Sequence, residues 1–418
     1  METETQTEGR RLLVSGYNLT PDEPAIFTYD IGALGTATPL GSASGVISPS
    51  FCAVGNRGLY AASESATYGG AAFYHLESDG APTLQNAMSF GNAAGSCFIL
   101  PDPERPAVYA ANYDSGSVSC YAVDGEGQLA GMTELVQHEG HGPVRLAGDP
   151  HFGRQQHPHV HSLSFVPGTQ LLAAVDLGLD LIALYALDEQ GRIVDAPGQT
   201  VLTPWGSGGS SFHEIAVTSD GHHVLKLERW CDCSKTPAFS PSVAEAILPA
   251  RPAAIIEAPL GSGPRLVAYH PTRPIAALVC ELSCEVILFR LSDDHLRWTA
   301  FERRSLLEGG TKSESDETPL SAHVAFSPDG RFLYASTRGI NQMTIFALSK
   351  DGNFIGRSDV PCGGKTPRHF ALSPDGAFLA VANRTSDNVA VFARDVATGS
   401  LRQTDSLPCP SPSCIVWL

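Results

Sequence analysis

Two late segments of this chain, HVAFSPDGRFLYASTRGINQMTIFAL (323 to 348) and HFALSPDGAFLAVANRTSDNVAVFAR (369 to 394), share one layout of strand, Ser-Pro-Asp-Gly turn, strand, short loop and strand. Their turns begin at Ser327 and Ser373, 46 residues apart. One four-stranded propeller blade takes roughly 40 to 50 residues, so the period matches. Asp-Gly supplies the positive φ angles of a tight hairpin, and the alternating apolar residues beside it predict strands of period two. The layout returns at 96 to 123, 161 to 187 and 265 to 291, with a weaker copy at 50 to 76.

The first segment, LLVSGYNLTPDEPAIFTYDI (12 to 31), holds only the later strands of a unit, and the last, PSCIVWL (412 to 418), is a lone strand. Joined, they complete one more unit. The expected fold is therefore all-β, a seven-bladed β-propeller closed by pairing of its N- and C-terminal strands. Closure of this kind leaves no free sheet edge. The whole chain, 1 to 418, then forms one domain with an insertion near 190 to 260. That insertion contains the blade-like SFHEIAVTSDGHHVLKLERW and could instead be an eighth blade.

The charge balance narrows the partners. Lys and Arg number 27 against 44 Asp and Glu, a formal net charge of -17, which repels phosphate backbones and acidic lipid. No nucleic acid and no membrane partner is expected. The opening METETQTEGRR lacks an apolar signal region, and a cytoplasmic location, as a monomer or weak oligomer, is expected. The 10 cysteines are scattered, several within apolar runs, and read mainly as buried reduced thiols. Cys231 with Cys233 and Cys280 with Cys284 could seed a metal site, but neither has a second pair at zinc-finger spacing.

The segments HPHVHSLSFVP with VDLGLD, GSGPRLVAYHP followed by CELS, SPDGRFLYASTRG and TPRHFALSPDGAFLAVANR make the chain similar to the seven-bladed lactonase family. That family includes propeller-type 6-phosphogluconolactonases and fungal carboxy-cis,cis-muconate cyclases. The resemblance implies an active site of one His, two Arg and one Glu around the central channel, here His161, Arg265, Glu281 and Arg338. It implies chemistry without a metal or cofactor. The chain departs from the common pattern at Phe98, Leu266 and His323, which bears on the identity of the substrate.

Physical chemistry reads the same residues independently. Two arginines facing a channel in an acidic protein suit bidentate binding of a carboxylate or phosphate, which implies a small anionic lactone or polycarboxylate ligand. Glu281 or His161 is expected as general base on water, with Arg265 and Arg338 holding the anionic group and the developing oxyanion. A brace between blades through backbone carbonyls is the structural alternative for both arginines. His159, Asp176, Arg368 and His369 are candidates for lining the same pocket, although Asp176 also fits an ordinary turn with Asp180 beyond it. His157, His159 and His161, with His138, His141 and His151 nearby, resemble a metal-binding run. No acidic partner lies close in sequence, and no metal is expected there. Hydrolysis of a sugar-acid lactone leads, ahead of a lactonising cycloisomerase and of a non-catalytic scaffold for protein binding.

Overall fold

The computed structural model describes residues 10–141, 156–166, 170–179, 181–202, 216–217, 224–225, 259, 262–292, 297–307 and 317–418. The expectations placed on His151, Asp180, Cys231, Cys233 and most of the insertion lie outside these residues.

Seven four-stranded antiparallel sheets follow one another as blades. Blade 1 joins the chain ends: Pro412–Trp417 is its innermost strand and pairs with Arg10–Gly16, with Leu12 opposite Trp417 and Val14 opposite Ile415. Blades 2 to 7 begin at Cys52, Ser96, Val160, Pro264, Leu320 and Pro367. Their sheets run in sequence order from the inner to the outer strand. Among the described residues the four-stranded sheets number seven. Of the segment that could be an eighth blade, two residue pairs are strand, Ala216 with Leu225 and Val217 with Val224. The insertion is also shorter than expected at its start, because Ile193–Leu202 is the outer strand of blade 4.

Stacking buries the blades on both faces, and the sequence pattern follows from that. The second strands, such as Ile275–Cys280 and Phe378–Asn383, are buried at every residue and read as continuous apolar runs. Strict alternation belongs to the exposed outer strands, such as Pro82–Phe90. Most of the apolar clusters are shared by two neighbours. Ile275, Val286 and Leu288 of blade 5 pack with Val324, Leu333 and Phe346 of blade 6, and Leu12 and Val14 of blade 1 pack with Ala380 and Val391 of blade 7.

The Ser-Pro-Asp-Gly turns are stapled alike. Ser327 Oγ donates to Asp329 Oδ1 at 2.5 Å and accepts the Phe332 amide at 3.0 Å; Ser373 does the same with Asp375 and Phe378. Gly330 has φ +66, and a Cβ there would lie 2.2 Å from the His270 ring, so both torsion and space require glycine.

Blades 6 and 7 are tied through Arg394, whose side chain is 1% exposed. It contacts Asp329 at 3.2 Å and donates to Tyr334 Oη at 2.7 Å and to Gly376 O at 3.0 Å. Burial works to raise the Asp329 pKa, but the Ser327 hydroxyl, the Arg331 amide and Arg394 hold it down at about 2. A depressed carboxylate stabilises the fold above its unfolded pKa and loses that contribution as pH falls through the folded value. Arg394→Ala is therefore expected to cost about 3 kcal/mol in urea unfolding at neutral pH and to move acid unfolding to higher pH. Urea titrations of both proteins as a function of pH check it.

Candidate active site in the central channel

One backbone hydrogen bond recurs at the inner end of six blades. The N–H at or just past the end of the second strand donates to a carbonyl ahead of the first: Tyr17 to Ser411, Glu64 to Ser48, Tyr113 to Gly95, Leu177 to His159, Glu281 to Gly263 and Arg384 to Thr366, at 2.6–3.1 Å. Five of the acceptors, Ser48, Gly95, Gly263, Thr366 and Ser411, have positive φ. Blade 6 reaches the same point through its ladder, where Leu320 pairs with Arg338. These bonds make Tyr17, Glu64, Tyr113, Leu177, Glu281, Arg338 and Arg384 equivalent positions in the seven blades.

Two residues beyond the acceptor the first strand bulges. The pairing register skips at Ser413, Cys97, His161, Arg265 and Arg368. A bulge leaves its extra residue out of the ladder and re-aims the side chain, and bulges concentrate beside active sites. His161, Arg265, Cys97 and Arg368 are partly exposed here while the strand residues around them are mostly buried. Arg265 and Arg368 both follow a proline in this position, which places Arg368 in register with Arg265.

At blades 5 and 6, Arg338 Nη2 donates to Glu281 Oε1 at 2.6 Å, and Arg265 Nε lies 3.7 Å from Glu281 Oε2. Glu281 is 5% exposed. Three of the four expected residues thus meet, and the structural alternative holds alongside: Arg338 also donates to Leu320 O and Ser321 O, and Arg265 to Ala322 O.

Blade 7 presents a different environment. Among the described residues the Arg368 guanidinium makes no ion pair and no hydrogen bond. Its charge is felt by Glu64, Tyr17, Cys97 and His369. His369 Nδ1 accepts the Ile415 amide at 3.2 Å, which leaves the ring proton on Nε2. Burial, then Arg265 and Arg368, lowers its pKa to about 4. His323 packs against it at 4.4 Å between ring centroids, and burial with His369 and Arg265 pushes His323 well below the usual imidazole range. Both rings are neutral near pH 7.

Two residues that the sequence reading did not single out as site groups, Tyr17 and Glu64, complete the ring with Arg384. Tyr17 Oη donates to Glu64 Oε2 at 3.1 Å, and Arg384 lies over the Tyr17 ring at 4.5 Å. Burial raises the Glu64 pKa against the opposing pull of the Ser50 hydroxyl, Arg368, Tyr17 and Arg384, and burial with Glu64 carries Tyr17 to about 12. The signal lay in the repeat: the strand ends LYAASE, IAALVCE, FLYASTR and FLAVANR align Glu64, Glu281, Arg338 and Arg384 in one column.

Blades 3 and 4 hold the histidines. His157 and His159 precede the strand that begins at Val160, so the three alternate histidines do not share one strand face. His159 Nδ1 bonds Tyr113 O at 2.9 Å, and its ring stacks on Tyr113. His161 meets the same Tyr113 ring edge-on. Asp176 is turned inward: Oδ1 accepts the His159 and Leu179 amides, Oδ2 lies 2.6 Å from His138 Nδ1, and the residue is 1% exposed. Its expected place among the binding groups gives way to this closed network, because its oxygens are already satisfied. Beside the channel Phe98 stacks on Phe51, giving an apolar wall next to Cys97. Burial and Glu64 push the Cys97 thiol well above its ordinary value, which makes it a poor nucleophile.

The fold and this axial cluster define a seven-bladed propeller with an enclosed, mixed-charge site. The chain belongs to the seven-bladed β-propeller lactonase family, whose model matches residues 11–211 and again 207–417. It is 26% identical to a 6-phosphogluconolactonase of Bacillus subtilis over 364 residues, 86% of this chain and 84% of that one. A 6-phosphogluconolactonase of Formosa agariphila is 27% identical, with 88% of each chain covered. Among solved structures, a protein from Lactobacillus plantarum superposes with TM-score 0.66 at 22% identity, covering 98% of this chain and 99% of that one. The periplasmic gluconolactonase of Pseudomonas aeruginosa gives TM-score 0.64 at 24% identity over 98% and 99%. Among the described residues no helix is long and apolar enough to cross a membrane.

Proposed function

We propose that this protein hydrolyses a small anionic lactone in its channel, a phosphorylated or carboxylated sugar-acid lactone of the 6-phosphogluconolactone type. The observation that carries the reading is the Arg368 guanidinium, in register with Arg265 and beside two neutral imidazoles, which makes no ion pair among the described residues. A planar guanidinium fork of fixed charge suits a phosphate or carboxylate.

In this reading Arg265 and Arg368 hold the anionic group. His369 offers its Nε2 proton, and His161 its imidazole, to the carbonyl oxygen as charge develops there. Glu281 is engaged by both Arg338 and Arg265, so we assign it to holding those guanidinium groups rather than to moving protons. Phe51 and Phe98 give the sugar ring an apolar surface. The family membership and the 6-phosphogluconolactonase relatives support lactone hydrolysis as the reaction. Free thiols at all eight described cysteines support a reducing, cytoplasmic setting, which cell fractionation would check.

Purified protein is expected to open 6-phosphogluconolactone well above its spontaneous rate, followed by acid release at constant pH, and to open the uncharged gluconolactone more slowly. Loss of the ultraviolet absorbance of a carboxymuconate, with no acid release from any lactone, would assign the same residues to cycloisomerisation instead.

A further inference from the structure

Two carboxylates occupy equivalent positions in the ring, and their surroundings differ. Glu281 in blade 5 and Glu64 in blade 2 are set by the same backbone bond, to Gly263 O at 2.6 Å and to Ser48 O at 3.1 Å. Glu281 is closed off by Arg338 at 2.6 Å and Arg265 at 3.7 Å. Glu64 has no ion pair among the described residues. Its carboxylate meets the Tyr17 hydroxyl at 3.1 Å on one oxygen, and its pKa is also held down by the Ser50 hydroxyl.

The groups around Glu64 come from three neighbouring blades. Tyr17 of blade 1 is itself capped by Arg384 of blade 7 at 4.5 Å, Arg368 of blade 7 acts on Glu64 through its charge, and Cys97 lies on the blade 3 side. Cys97 Sγ in turn lies 3.6 Å from the carbonyl oxygen of His161. Glu64 therefore stands between the anion-holding arginine and the His161 bulge, on the channel side of the ring.

We propose that Glu64 is the general base of the reaction, held by Tyr17, while Glu281 is its equivalent in position but not in chemistry. This rests on the lactonase reading. The Glu64 carboxylate takes a proton from a channel water as the water oxygen bonds to the lactone carbonyl carbon. The carbonyl electron pair moves to oxygen, then returns as the ring C–O bond breaks. The departing ring oxygen takes the proton back from the Glu64 carboxyl, and the second water proton leaves with the product acid. Environments that separate two carboxylates in this way divide the tasks between them. Burial favours the protonated form of Glu64 and so strengthens it as a base, whereas the Glu281 carboxylate is already taken up by two guanidinium groups.

The test is the pH dependence of kcat and KM on 6-phosphogluconolactone for wild type, Glu64→Gln and Tyr17→Phe. Wild type is expected to show an acid limb above the ordinary carboxylate range. Glu64→Gln should lose about 10²- to 10⁴-fold in kcat, with KM little changed, and should lose that limb. Tyr17→Phe removes a donor to the carboxylate, so its limb should move to higher pH while the rate on the plateau survives. If Glu64→Gln does not fold, the Tyr17→Phe shift decides. Wild-type kcat and an unmoved limb in active variants would overturn the role of Glu64 alone. A wild type that opens no anionic lactone would overturn the lactonase reading first, and this assignment with it.

Discussion

Arg368→Ala is expected to lower kcat/KM on an anionic lactone by about 10²- to 10³-fold, corresponding to about 3–4 kcal/mol for a lost bidentate, charge-assisted contact. The uncharged gluconolactone should lose far less, because it offers the guanidinium no anion. Arg368→Lys keeps the charge but not the planar fork, and an intermediate loss is expected. The comparison with Arg338→Ala separates binding from bracing. Arg338 is paired with a buried carboxylate and with two carbonyls, so its removal should cost about 3–5 kcal/mol of stability by leaving Glu281 without that partner. Among the described residues Arg368 has no such partner, and its removal should leave the urea midpoint nearly unchanged. Steady-state rates on the two lactones, with urea unfolding of each variant, check this. Equal losses on both lactones would remove Arg368 from anion binding.

Ending the chain before Pro412 is expected to abolish the folded monomer. Pro412–Trp417 is the innermost strand of blade 1, and its loss exposes Leu12 and Val14, both fully buried, and removes Cys414 and Ile415 from the core. Each large apolar side chain is worth about 1.5–3 kcal/mol of burial, and the marginal stability of a native protein is only about 5–15 kcal/mol. The open strand edge would also pair with other chains. Size-exclusion chromatography should show aggregate in place of monomer. A synthetic peptide of residues 410 to 418, added during refolding, should restore part of the monomer by supplying the missing strand.

Much of the architecture was legible because the repeat is a chemical constraint. Ser-Pro-Asp-Gly needs a serine hydroxyl to accept an amide and a glycine at positive φ, so the turn motif marks the same point in successive blades. The closing strand was legible as half a unit at each end. The eighth blade was not decided by sequence, since a two-pair hairpin at Ala216–Val217 and Val224–Leu225 and a full sheet begin with the same apolar residues and Asp-Gly turn.

The candidate site was read in part. The 16-residue spacing of Arg265 and Glu281 is a property of the blade, for it recurs between Cys97 and Tyr113, His161 and Leu177, and Arg368 and Arg384. Spacing therefore located the channel positions without saying which side chains share a charge. Asp176 shows the limit from the other side, a carboxylate at a strand end that the fold spends on His138 and two amides.

By itself the sequence determined the repeat, the turn chemistry, the closure and the set of residue types available to the channel, since each is fixed by local torsion and apolar periodicity. Only the tertiary structure decided the pairings, because ion pairing depends on which blades become neighbours. Blade 6 sets Arg338 against Glu281, while the joining of blade 7 to blade 1 through the C-terminal strand sets Arg384 against Tyr17. Among the described residues that leaves Arg368 outside any ion pair and gives Glu64 a hydroxyl where Glu281 has an arginine.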